Sequence, residues 1–217
     1  MTVSKKTIPA DLYEHIRKDI IFLHLPPGHI IKEINLSELY DVSRTPVRQV
    51  IQKLIYDRFI LYKKGQGNLV APLTWDDYIH LYQIRLNIEM LSIHLAILYA
   101  RESDLKSLQK NIEKQENLVN GQDYALNFIE LDREFHLLLA RAGKNDRLYD
   151  ILMNIYDHYS RYNYLSGFKG RLHFAVNEHI DIYKALLLKN DASATNQMKS
   201  HLENVHNVIS YSLPSKL

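Results

Sequence analysis

Cysteine is absent from the 217 residues. That excludes a disulfide framework, a Cys-ligated zinc site and a thiol nucleophile, and it fits a reducing compartment. Only 7 Gly and 6 Pro interrupt the chain, too few for a collagen-like or loop-dominated architecture, so long helices are expected. No uncharged run exceeds about a dozen residues, against the roughly 20 needed to span a bilayer. The first residues show no signal-peptide pattern, because Lys5 and Lys6 lead into a charged amphipathic stretch instead of an apolar one. The expectation is a soluble, cytoplasmic protein with no membrane partner. Hydrophobic residues at 46% and charged residues at 24% exclude wholesale disorder, and the length suits one large or two modest domains.

A large net charge is also missing, the total being +2, but it is unevenly divided. Residues 1–72 carry 11 Lys and Arg against 7 Asp and Glu, whereas residues 73–217 carry 16 against 18. Within residues 43–64 the cations Arg44, Arg48, Lys53, Arg58, Lys63 and Lys64 are opposed by Asp57 alone. Such a local positive field attracts a polyanion, although a cluster taken by itself more often marks a solvated helix face. Its setting in the fold decides between the two.

Leu12, Ile16, Ile20 and Leu23 recur every three or four residues after Pro9, which predicts a first helix stopped by Pro26-Pro27-Gly28. A short extended piece at 29–31 follows, then a short second helix with Asn35 as its cap and Glu38 in the reciprocal capping-box position. Ser43 is expected to cap a third helix, with Pro46 inside the first turn, where proline is tolerated. Val47, Ile51 and Leu54 then face inward, which places Arg44, Thr45, Arg48 and Gln52 together on the opposite side. Runs at 59–62 and 69–71, separated by Lys63-Lys64-Gly65-Gln66-Gly67-Asn68, read as a hairpin with a basic tip. Two short helices and a basic hairpin in this order match a winged helix-turn-helix. Its second helix offers arginines to guanine and the Ser43 and Thr45 hydroxyls to phosphate. Lys63, Lys64 and Gly67 at the hairpin would position the module on the DNA backbone.

This N-terminal stretch also resembles a known family. Residues 36–48, ending in Ser43-Arg44-Thr45-Pro46-Val47-Arg48, with the glycine hairpin and Val70-Ala71-Pro72, resemble the winged helix of GntR-type bacterial transcription regulators. The resemblance implies operator contacts by Arg44 and Arg48, with Thr45 beside them. The motif departs from the usual pattern at Gln49-Val50-Ile51, where Glu-Ala-Leu is common, and at Ile34-Asn35, where a charged pair is common.

Residues 73–77 read as a linker, dividing a DNA-binding domain at 1–72 from an all-helical effector-binding and dimerisation domain at 78–217. Thr74 is placed to cap the next helix, with Asp77 three residues on. Helices are expected at about 75–101, 103–120, 123–142, 145–165, 170–189 and 191–211, with breaks at Gly121, Gly143, Gly167 to Gly170 and Asn190-Asp191. The fold class is therefore mainly α: a winged helix-turn-helix with a small hairpin wing, then an antiparallel six-helix bundle.

Most of the eleven histidines fit surface or satisfied core positions. Four polar residues stand apart. Asp132 and His136 are spaced i, i+4 and share one helix face, about 5–6 Å apart at Cβ. His179 and His201 each lie 11 residues from Asn190, which in a hairpin of helices sets them at equal height. Phe135, Leu138, Leu139, Ile180 and Leu202 give these positions apolar neighbours. An Asp/His3 set suits one divalent transition metal per chain, Zn, Ni, Mn or Fe, without choosing among them. Arg85, among Leu81, Ile84, Ile88 and Leu91, fits bidentate recognition of a carboxylate; an internal ion pair with Glu89 is as well supported by the spacing. Tyr149, Tyr156, Tyr159 and Tyr162 fit core or a dimer surface better than a pocket lining.

Tyr82-Gln83-Ile84-Arg85 with Glu89, residues 131–136, Glu178-His179 and residues 198–202 extend the resemblance to the metal-binding FCD-type effector domain of the FadR subfamily. It implies a metal on Asp132, His136, His179 and His201 and an acidic effector at Arg85. The expected function is a homodimeric regulator that binds a palindromic operator and senses a small carboxylated metabolite. The alternative is a metal-dependent hydrolase using the same ion.

Overall fold

The computed structural model describes residues 9–119, 125–166 and 170–213. The chain divides into two compact units, Met1–Leu73 and Thr74–Leu217. The breaks expected at Gly121 and Gly167 lie outside the described residues.

The first unit runs α1 (Pro9–Ile21), β1 (Ile30–Ile31), α2 (Glu33–Leu39), α3 (Arg44–Tyr56), β2 (Ile60–Lys63) and β3 (Gly67–Val70). Leu12, Ile16 and Ile20 fall on one face of α1 and pack with Leu36 of α2 and Val47, Ile51 and Leu54 of α3. Full burial of such side chains stabilises by about 1.5–3 kcal/mol each, so α1 holds the short α2–α3 pair that could not stand alone. Between those two helices Asp41 takes the left-handed conformation, φ 50°, which Asp tolerates better than most residues.

Two details differ from expectation. The wing is part of a three-stranded antiparallel sheet in the order β1-β3-β2, with Ile30 opposite Leu69 and Lys63 opposite Gly67. The extended piece before α2 thus becomes an edge strand. With Ile31 buried against the core, the chain turns into α2 directly after it. The cap is therefore Lys32, with no side-chain bond, and Asn35 lies exposed inside the first turns instead of capping them.

The second unit is a bundle of α4 (Trp75–Tyr99), α5 (Glu102–Val119), α6 (Ala125–Ala142), α7 (Asp146–Ser166), α8 (Leu172–Leu187) and α9 (Asp191–Ser212). The Thr74 hydroxyl accepts the Asp77 N–H at 3.3 Å, and Asn190 accepts the Ser193 N–H at 3.1 Å, so both helices start where the capping residues stand. Tyr162 on α7 donates to Asp77 Oδ2 at 2.9 Å and secures the start of α4. α4 packs against α6, α7 and α9, while α5 lies on α6 and α8. Gly143 lets the end of α6 sit directly on α4, since a Cβ there would lie 2.8 Å from that of Leu95. Among the described residues no helix is long and apolar enough to cross a membrane.

The inward face of α4 is also a correction. Arg85 does not share a bundle-facing stripe with Leu81, Ile84, Ile88 and Leu91: it is buried with Tyr78, Glu89, Ser92 and Ile93, while Ile84 and Leu91 are 49% and 46% exposed. Arg85 and Glu89 can face inward because they pair with each other and with buried Tyr156 and His136, while Ser92 donates back to the Ile88 carbonyl.

Candidate metal centre and nucleic-acid interface

In the first unit, Arg44, Thr45, Arg48 and Gln52 share the exposed face of α3, opposite buried Val47, Ile51 and Leu54. Ser43 takes the extended N-cap conformation, but its hydroxyl makes no capping bond. It stands at a helix N-terminus, a position suited to phosphate. Lys63, Lys64 and Gly65 are exposed at the wing tip, where the Gln66 N–H bonds the Lys63 carbonyl at 2.9 Å. Gly67 opens β3 at φ +86°, a conformation that side chains resist. Lys53 leaves the basic face: its ammonium sits 3.9 Å over the Tyr13 ring, and Tyr13 donates to Asp57 at 2.6 Å, so these groups tie α1 to α3. Arg48 is engaged by Glu33 of α2 through two hydrogen bonds of 2.8 and 2.9 Å.

In the second unit α6 contributes Asp132 and His136, α8 contributes His179, and α9 contributes His201. All four are buried, and one donor atom from each lies within 4.8 Å of the others. His136 Nε2 and His201 Nε2 are 3.2 Å apart, and Asp132 Oδ1 is 3.5 Å from His179 Nε2 and 4.0 Å from His136 Nε2. The interlocked core of Phe135, Leu139, Met198 and Leu202 surrounds them.

The outer ring of partners orients these imidazoles. His136 Nδ1 bonds Glu89, His201 Nδ1 bonds Glu178 at 2.7 Å, and His179 Nδ1 bonds Gln115 Oε1 at 2.7 Å. Carboxylate and amide oxygens accept, so Nδ1 carries the proton in each ring and the Nε2 lone pairs point inward. Two lone pairs then face one another at 3.2 Å, and buried His179 Nε2 has no hydrogen-bond partner. Lone pairs so arranged repel unless a cation lies between them. Donors of a tetrahedral ion bound at about 2.0–2.1 Å are separated by roughly 3.3 Å; the 3.2 and 3.5 Å separations are close to that and the 4.0 Å one is wider, so the donor set fits a divalent metal in type and tautomer. A histidine whose second nitrogen donates to carboxylate or amide is the usual arrangement around such ions.

Burial lowers all three histidines, His179 well below the ordinary value, and keeps the rings neutral; burial raises the Asp132 carboxyl, against which His201 and Arg85 act. Glu178 would be raised by burial, but hydrogen bonds from His201 and Arg171 hold it low. Arg85 is 1% exposed and ion-paired with Glu89, the internal pair that its spacing allowed, and it also donates to the Tyr156 hydroxyl. Its Nη2 lies 3.4 Å from His136 Nε2, and its Nη1 is buried without a partner. Tyr156, Tyr159 and Tyr162 are buried as core, and Tyr149 is half-buried beside Arg141.

Gln115 and Asn111 carry no metal-ligand or charge signature in the sequence. Gln115 donates to Asn111 Oδ1 at 2.6 Å while holding His179. Their signal was present, since on α5 they occupy inward places in the apolar repeat of Leu108, Ile112 and Val119.

Comparison with known proteins agrees with both halves. Residues 9–70 match the bacterial regulatory proteins of the gntR family, and residues 80–204 match the FCD domain. The HTH-type transcriptional regulator YdhC of Bacillus subtilis is 28% identical over 191 residues, spanning 87% of this chain and 85% of YdhC. The HTH-type transcriptional repressor RspR of Escherichia coli is 26% identical over 211 residues, spanning 94% of this chain and 92% of RspR. Among solved structures, E. coli McbR/YncC matches with a TM-score of 0.81 at 17% identity, over 95% of this chain and 99% of that one; this likeness concerns the fold alone. With the FCD match covering more than half of its length and the gntR match its winged helix, the chain belongs to the GntR family of bacterial transcription regulators, in the group that carries an FCD domain.

Proposed function

We propose that this regulator binds a palindromic operator as a homodimer and senses a small carboxylated metabolite at a divalent transition metal held by Asp132, His136, His179 and His201. The observation that supports the sensing half is the inward convergence of three Nε2 atoms, each on a ring whose Nδ1 is held by Glu89, Gln115 or Glu178, and the Asp132 carboxylate in one buried cluster. Beside it, Arg85 offers an unpartnered Nη1 to a ligand carboxylate while Glu89 and Tyr156 hold the rest of the guanidinium. A bound metal supplies a Lewis-acidic anchor for such a ligand.

Ser43, Arg44, Thr45, Arg48 and Gln52 on α3 are the proposed DNA contacts, with Lys63, Lys64 and Gly67 at the wing. Dimerisation is assigned to α4, whose Leu81, Ile84, Ile88, Leu91, Leu95 and Leu98 repeat at alternating three and four residues. Ile84, Leu91 and Leu98 stay 49%, 46% and 57% exposed. This apolar seam matches the repeat by which two helices pack side by side, and a two-fold pairing satisfies it with itself. The effector alters DNA affinity by favouring one arrangement of the dimer's DNA-binding domains, through Leu73 and Thr74, the part of the expected 73–77 linker that precedes α4.

The test begins with selection of duplexes from a randomised pool by the full-length protein. Enriched sequences should contain inverted repeats with half-sites about one helical turn apart, and Arg44→Ala should weaken binding roughly fivefold or more. The Kd for the enriched duplex is then measured across a panel of small carboxylic acids. An acid that shifts Kd in metal-replete protein, but neither after chelation nor in Arg85→Lys, supports the reading. Failure to enrich any duplex removes the operator, and indifference to every acid removes the sensor.

A further inference from the structure

The contact between Glu33 and Arg48 joins α2 to the exposed face of α3. Arg48 Nε is 2.8 Å from Oε1 and Nη2 is 2.9 Å from Oε2, a side-on fork in which both carboxylate oxygens are used. The two side chains are 67% and 31% exposed, so the pair stands on the surface, where ion pairs contribute little to stability. A carboxylate on a surface meant for a polyanion also weakens attraction to every sequence alike. Neither folding nor general affinity therefore accounts for it.

Geometry does. A guanidinium has a side edge, Nε with one Nη, and an end edge formed by the two Nη atoms. Glu33 occupies the side edge. The end edge, with one N–H from Nη1 and one from Nη2, stays free and is the bidentate pair left to meet guanine O6 and N7. An untethered arginine at this exposure samples many rotamers and finds phosphates as readily as bases, and losing that freedom on binding costs free energy.

Resting on the DNA-binding reading above, we infer that Glu33 is a positioning residue that holds Arg48 end-on for a guanine, raising base discrimination while lowering general affinity for DNA. Hydrogen bonding from Arg48 holds the Glu33 carboxyl below its usual value, so the tether stays ionised at neutral pH. Glu38, exposed on the same helix with its own negative charge, serves as the control for charge alone.

Full-length wild type, Glu33→Gln, Glu38→Gln and Arg48→Ala are each used to select duplexes from one randomised pool at fixed salt, and their affinity for the unselected pool is titrated. Wild type should show a guanine preference that Arg48→Ala loses; a wild type that selects duplexes with no guanine preference sensitive to Arg48→Ala overturns the inference. Glu33→Gln should lose at least two-thirds of that preference at the same position and keep the others, while binding the unselected pool as tightly as wild type or more so. Glu38→Gln should raise affinity for the pool and leave every base preference unchanged. Retention of the full guanine preference by Glu33→Gln overturns the inference, as does an equal change in Glu38→Gln, which would make the effect one of charge. A uniform loss of preference across all positions by Glu33→Gln also counts against it. If wild type itself selects nothing, the DNA-binding reading fails first, a result distinct from all of these.

Discussion

Replacing Gln115 with leucine removes the one neutral group that orients a histidine of the cluster. Its Oε1 accepts from His179 Nδ1 at 2.7 Å and its amide donates to Asn111 Oδ1 at 2.6 Å. Leucine fills similar volume, so the loss falls on two buried polar groups, each costing about 1–3 kcal/mol when left without its partner. The larger consequence concerns the tautomer. Without an acceptor at Nδ1, the His179 proton moves to Nε2, where Asp132 Oδ1 stands 3.5 Å away, and the lone pair needed for coordination is gone. Loss of an outer partner of this kind lowers metal affinity about 10–100-fold. Competition with a chromophoric chelator, Zn(II) being the probe, measures this directly. A Gln115→Leu protein that folds and holds Zn(II) as tightly as wild type would refute the tautomer argument.

Three further outcomes follow from the same structure. Leu91→Glu places a charge in the exposed apolar seam of α4, and light scattering should show monomers at micromolar concentration where wild type is dimeric; a dimeric variant would move the interface elsewhere. Gly143→Ala puts a Cβ 2.8 Å from that of Leu95, an overpacking cost of about 1–3 kcal/mol that should appear as a lower Tm, and an unchanged Tm would show that α4 and α6 separate freely. Metal-free protein should lose stability as pH falls from 7.5 to 5.5: burial depresses the folded-state values of His136, His179 and His201, so the unfolded chain takes up protons first near its ordinary value of about 6.5. A flat thermal-melt profile across that window would contradict their burial as neutral rings.

Much of this was legible in the sequence where local rules apply. Asp132 and His136 sit one helical turn apart, and the Asn190 cap makes His179 and His201 equidistant from a turn, so simple periodicity brings all four together. Long-range pairing was harder. β1 has only two residues, too short for an alternating pattern, and its partner Leu69 lies far along the chain from Ile30. Gln115 is 64 positions from the ring it holds, so its inward place on α5 signalled burial but not a partner. Periodicity does not distinguish the inside of α4, which is apolar on two faces, one at the bundle edge and one exposed. Its inside is marked by Arg85, Glu89 and Ser92, the residues that polarity alone would turn outward. The Glu33–Arg48 fork was hidden because α2 starts before its expected cap, and only that earlier start brings Glu33 into the helix beside α3.

The metal centre is tested most directly by elemental analysis of full-length protein purified without chelator or affinity-tag metal, read with its melting temperature before and after chelation. Close to one divalent ion per chain is expected, and removing it should lower the Tm, because an ion that binds only the folded state adds its binding free energy to folding. His179→Ala and His201→Ala should abolish both the ion and the chelator response. No stoichiometric ion, together with a Tm that chelator leaves unchanged and added Zn(II) does not raise, would contradict a metal at Asp132, His136, His179 and His201.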